Sequence, residues 1–101
     1  MFVVVYRWRL KPEKVDTFAA AWSCVTSRIR ERCGSYGSAL FESDDGIHTA
    51  IALWPDRDSR ERCDIDAEDD LAIMSASIAE NFPEQCLEDV QNLWYLPARN
   101  P

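Results

Sequence analysis

The sequence holds a single histidine, His48, and no Cys-x-x-Cys pair among its four cysteines, which leaves little for a metal site or a dithiol redox centre. Three glycines in 101 residues supply no glycine-rich phosphate loop. No apolar run approaches the roughly 18–20 residues of a membrane span. Cations are also scarce: 11 Lys and Arg stand against 18 Asp and Glu, a net charge of −7. A phosphate backbone needs a basic patch. The densest stretch, Arg28, Arg30 and Arg32 beside Glu31, reads as a solvated helix face. Nucleic acid and anionic membranes are therefore not expected as partners. No metal and no bound cofactor is expected. The start of the chain, Met1-Phe2-Val3-Val4-Val5-Tyr6, lacks the basic segment of a signal peptide, so the expected location is the cytoplasm. Cys24, Cys33, Cys63 and Cys86 are accordingly read as small buried or half-buried thiols rather than as a disulfide framework.

What is present is the composition of an ordinary globular domain, 47% apolar and 29% charged. At this length one domain spanning residues 1–101 is expected, and so small a domain gains from a partner chain. Phe2 to Leu10 is rich in β-branched and aromatic residues and predicts a strand. Lys11-Pro12-Glu13 opens a helix, with proline suited to its first turn. Val15, Phe18, Trp22, Val25 and Ile29 then form one stripe at helical spacing, and Gly34 ends it. Ser38 to Glu42 and Ile47 to Trp54 predict two strands joined by the turn Ser43-Asp44-Asp45-Gly46. Asp56 to Cys63 predicts a short helix. The acidic stretch Asp64 to Asp70 reads as a solvated linker, since Asp69 and Ser75 fall where a calcium loop needs Gly and Glu. A second long helix is predicted with Leu71, Met74, Ile78 and Phe82 in one stripe, ended by Pro83. Cys86 to Leu96 predicts the last strand, and Pro97 to Pro101 a tail.

The order β-α-β-β-α-β is the ferredoxin-like arrangement, an α+β fold with a four-stranded antiparallel sheet and both helices on one face. Strands one and three are apolar on both faces. The uncovered face is too apolar for water, and its simplest cover is the same face of a second copy, which makes a homodimer.

Several stretches add a family resemblance: Tyr6-Arg7-Trp8-Arg9-Leu10-Lys11-Pro12-Glu13, Phe18 with Trp22, Cys33-Gly34-Ser35-Tyr36-Gly37-Ser38, and Ile51-Ala52-Leu53-Trp54-Pro55-Asp56-Arg57. In their order and spacing they resemble the antibiotic biosynthesis monooxygenase family of dimeric α/β-barrel proteins. The resemblance covers most of residues 1–62. It implies a homodimer with facing sheets and a small pocket in each subunit between sheet and helices. Family members include cofactor-free oxygenases that convert aromatic polyketide phenols to quinones, and others that degrade haem. The cofactor-free route suits a sequence without metal or nucleophile motifs, because a deprotonated phenol or anthrone can itself pass an electron to oxygen.

The resemblance carries Trp54 over as a pocket residue, with Ala50 and Ala52 beside it leaving room; the plainer reading is an aromatic closing the core. The departures are specific. Haem-degrading members have an asparagine where Tyr6 stands and a histidine near Asp64, so haem chemistry is not expected. Quinone-forming members offer an asparagine at Ala50. His48 is the one imidazole and a candidate base, against a surface or interface role. Tyr6 and Arg7 are candidate proton and anion handlers, against core and ion-pair roles. Phe18, Trp22, Met74 and Ile78 face the sheet as core and as candidate walls for an aromatic substrate. The leading expectation is a cofactor-independent monooxygenase acting on a small aromatic or polyketide-like molecule. The competitors are a non-catalytic module binding a small apolar ligand, and a non-oxidative cyclase or isomerase.

Overall fold

The computed structural model describes residues 1–95. Strand β1 (Phe2–Leu10) leads through a 3-10 turn (Pro12–Lys14) into helix α1 (Val15–Cys33). Strands β2 (Gly37–Glu42) and β3 (Ile47–Trp54) follow, then the short helix α2 (Arg57–Glu61) and helix α3 (Glu68–Ser77). Two short strands, β4 (Ile78–Asn81) and β5 (Gln85–Glu88), finish the described chain. The strands make one five-stranded antiparallel sheet in the order β2-β3-β1-β4, with β5 also on β1.

Local chemistry explains the boundaries. Gly34 stops α1 in the left-handed conformation at φ 73°, its N–H donating to the Arg30 carbonyl, a conformation glycine reaches without penalty. The β2–β3 turn is held by Asp45, whose Oδ1 accepts from the Ile47 N–H at 3.1 Å and from the Ser43 hydroxyl. These hydrogen bonds hold the Asp45 carboxyl below its ordinary pKa. Asp56 caps α2, accepting from the Ser59 N–H at 2.8 Å.

The helix expected to run through Ile78 and Phe82 ends at Ser77, five residues short of Phe82. Ile78 is already extended, at φ −92° and ψ 126°. Lys11 takes the last free carbonyls of α3, its N–H donating to Ser77 O at 2.9 Å and its ammonium to Ala76 O at 2.8 Å. The free edge of β1 then claims the chain, because buried backbone groups must be paired. Ile78 pairs with Leu10, and Asn81 with Trp8. Pro83 holds Phe82 in extended backbone, and pairing resumes with Gln85 opposite Val5. β4 and β5 are thus two halves of one interrupted strand lying along β1. The expected last strand, Cys86 to Leu96, keeps only its first three residues; Asp89 to Tyr95 is irregular, and Leu96 and the tail Pro97–Pro101 lie outside the described residues.

Alternation along β1 and β3 places Phe2, Val4, Tyr6, Trp8 and Leu10 with His48, Ala50, Ala52 and Trp54 on the face beneath the helices. Two core clusters form there. One gathers Trp8, Leu10, Phe18 and Ala50; the other gathers Phe2, Val4 and Trp54. Tyr6 packs against both. The expectation of four reduced thiols is corrected. Cys33 and Cys63 form a disulfide, their Cα atoms 5.2 Å apart, and Cys24 and Cys86 are exposed. The reason is tertiary: α2 folds back so that Cys63, two residues past its end, meets the end of α1, 30 positions earlier. Among the described residues no helix is long and apolar enough to cross a membrane.

Candidate functional site

A half-open cavity of about 200 Å³ lies between the sheet and helices α1 and α3. The sheet contributes Tyr6 and Trp8 from β1, Ala52 and Trp54 from β3, and Gly37 and Ser38 from β2. Helix α1 contributes Trp22, Val25, Thr26 and Ile29, and helix α3 Leu71 and Met74. β3 leaves room for the space by presenting Ala52 where a larger residue would fill it. Aromatic rings frame one side: Tyr6 stacks on Trp8 with centroids 5.8 Å apart, and Trp8 meets Phe18 edge-on at 5.0 Å.

The polar groups are few. Ser35, buried beside the cavity, accepts from the Gly37 N–H at 3.1 Å, and the Ser38 hydroxyl donates to Ile51 O at 3.0 Å. The Ser38 proton is thereby committed to the backbone, whereas the Ser35 hydroxyl keeps a proton to donate. Trp54 is 4% exposed, and its indole Nε1 has no hydrogen-bond partner among the described residues. A buried donor left unpaired costs about 1–3 kcal/mol. Tyr6 accepts at its hydroxyl from Arg60 Nη2 at 3.2 Å. Arg60 also pairs with Glu84 at 2.8 Å. Burial works against the Arg60 charge, but the Tyr6 hydrogen bond and the Glu84 carboxylate outweigh it and raise the guanidinium pKa.

Of the residues singled out in the sequence, Tyr6, Trp22, Ala52, Trp54 and Met74 line the cavity. Phe18 and Ala50 are fully buried core, and Ile78 packs against the same cluster without lining the cavity. Arg7 points the other way: it is on the opposite face of β1, exposed, with its guanidinium 5.2 Å from the Phe82 ring centre. His48 is 7% exposed and paired across the sheet with Trp8, its Nε2 3.4 Å from Glu42. Six residues of strand separate it from Trp54, roughly 20 Å. Its Nδ1 is also without a partner among the described residues, but it does not line the cavity. Sequence reasoning passed over Thr26, Leu71, Ser35 and Ser38 as lining residues, and Arg60 and Glu84 behind Tyr6. Thr26 lies beside Val25 of one stripe that was read and Leu71 lies within the other, so spacing could have found them. Arg60 has no local signal, since its meeting with Tyr6 depends on the path of α2.

Among the described residues no group of His, Cys, Asp and Glu is placed to hold a metal ion. No protein-family model matches the sequence, and no curated protein matches it. Solved structures do. An antibiotic biosynthesis monooxygenase is similar at 19% identity and TM-score 0.74, over 90% of this chain and 100% of its own. A protein of Mycobacterium tuberculosis is similar at 16% identity and TM-score 0.75, over 92% and 98%. SnoaB, a cofactor-independent oxygenase from Streptomyces nogalater, is similar at 16% identity and TM-score 0.73, over 91% and 95%. These matches run through α3 and the interrupted strand, well past the region where the sequence resemblance fades. The chain therefore has the fold of the antibiotic biosynthesis monooxygenase structures.

Proposed function

We propose that the cavity binds a small, flat aromatic molecule carrying oxygen substituents, and that the protein oxidises it with molecular oxygen and no bound cofactor. The observation that carries this reading is an uncharged cavity walled by the aromatic rings of Tyr6, Trp8, Trp22 and Trp54. Apolar walls with a few oriented donors suit an aromatic ketone or phenol. A cavity of about 200 Å³ suits one or two fused rings. A donor at Tyr6 would stabilise the anion formed when the substrate loses a proton to solvent base. That anion passes an electron to oxygen. The net change converts a ring CH2 and O2 into C=O and H2O. Kinship of fold with SnoaB supports the reading without deciding the substrate.

One observation favours a second reading, a binding module without catalysis: no lining residue is charged. Oxygen uptake by the metal-free protein with naphthols, whose keto tautomers carry the ring CH2, separates the two. Uptake above the spontaneous rate, lost in Trp54→Phe, supports the oxygenase. Binding of the same compounds without uptake moves the assignment to the module.

The outer face of the sheet supports a homodimer as the working form. It presents Ile51 and Leu53 with Phe41, which is 53% exposed, and Leu87 lies opposite Val3 on the same face. The cytoplasmic location expected from the N-terminal sequence meets an opposing observation. Reducing compartments keep cysteines as thiols, so the Cys33–Cys63 disulfide supports an oxidising one.

A further inference from the structure

We infer that Arg60 is a positioning residue that orients and polarises Tyr6 as a hydrogen-bond donor to an oxygen of the aromatic ligand; this rests on the small-aromatic reading above. Arginine only donates, so the contact of 3.2 Å between Arg60 Nη2 and Tyr6 Oη fixes the phenol oxygen as the acceptor. The single phenol proton must then be directed elsewhere. No described residue accepts it. Tyr6 lines the cavity, and its ring is held by the stack on Trp8, so the hydroxyl has little freedom to turn away. A ligand oxygen is the acceptor that completes the arrangement.

The support behind Tyr6 is itself built. Glu84 Oε2 takes the same Nη2 at 2.8 Å, and Cys86 Sγ lies 4.0 Å from Nη1. Arg60 sits on α2, whose start is fixed by the Asp56 cap and whose far side is tied by the Cys33–Cys63 bridge. A donor with a cation on its oxygen is a stronger donor, because hydrogen bonds in series polarise one another. The lining brings no charge of its own. Arg60 therefore supplies, through Tyr6, what an apolar cavity needs to hold a phenolate-like oxygen without placing an ion against the rings.

The test compares two probes of equal shape, 1-naphthol and 1-methylnaphthalene, by quenching of tryptophan fluorescence. Wild type should prefer the naphthol by about tenfold. Arg60→Met should cut that preference to about twofold or less while leaving the methylnaphthalene affinity unchanged. Tyr6→Phe should abolish it, and Tyr6→Phe with Arg60→Met should lose nothing more, since coupled groups are not additive. Arg60→Lys, which keeps the charge but loses the fork, should retain part of the preference. An unchanged preference in Arg60→Met overturns the inference, as does an equal loss for both probes, which marks a purely structural role. Failure of the wild type to bind either probe removes the small-aromatic reading as well.

Discussion

Reducing the Cys33–Cys63 bridge should lower the melting temperature by about 17 °C. The bridge closes a loop with a sequence separation of 30 residues. Chain-entropy arithmetic for such a loop gives about 12 cal/mol/K, or about 3.6 kcal/mol at 25 °C. A 101-residue domain unfolds with roughly 210 cal/mol/K near its midpoint, which converts that free energy to about 17 °C. Calorimetry of the protein before and after treatment with a phosphine reductant reads the shift directly, and Cys33→Ser with Cys63→Ser should reproduce it. Thiol titration of the denatured protein should find the exposed Cys24 and Cys86 before reduction and all four cysteines after it. Four titratable thiols in aerobically purified, unreduced protein would refute the pairing. Two thiols with an unmoved melting temperature would refute the entropic argument. The half-buried Cys33 and Cys63 also pack against the cluster of Phe2, Val4 and Trp54, so reduction should loosen one wall of the cavity and weaken ligand binding together with stability.

Three further outcomes follow. His48→Gln should leave ligand affinity within about twofold, because His48 does not line the cavity; isothermal titration of 1-naphthol checks this. The Asp56 carboxyl is held below its ordinary pKa by the Ser59 N–H and hydroxyl, so the stability it adds is present above the ordinary aspartate pKa and is lost as pH falls through the depressed value. Denaturation curves of wild type and Asp56→Asn should therefore differ at neutral pH and converge in acid, whereas a constant difference would remove the charge from the cap's role. Phe41→Asp should convert a dimer to a monomer in light scattering at micromolar concentration, and a single-chain mass for the wild type would sink the proposed pairing of sheet faces.

The elements carried by a strong period were legible before folding. The stripe from Val15 to Ile29 and the Asp45-Gly46 turn signal predicted α1 and the β2–β3 hairpin within a residue or so of where they lie. The stripe through Ile78 and Phe82 misled because an apolar residue every fourth position fits the end of a helix and, with Pro83 behind it, also fits a strand edge. Only the unpaired groups of β1 decide between them, and those belong to a segment seventy residues away. The two-residue period of a strand was enough to place Arg7 opposite Tyr6, so its candidacy conflicted with a rule already in use. Position along the strand likewise separated His48 from Trp54. The disulfide and the Arg60–Tyr6 contact were not legible, since each depends on α2 turning back over the sheet. No spacing within the chain records that turn.

Tyr6 touches both core clusters, so it is a seam as well as a cavity wall. That double duty bears on how such a protein can change. A substitution at Tyr6 alters the chemistry presented to a ligand and also reopens the join between the two halves of the interior. Trp22, Thr26, Leu71 and Met74 lie on helices and carry no such second burden at the sheet. New ligand preferences should accordingly arise on the helical wall, with the sheet as the fixed floor on which variation is tried.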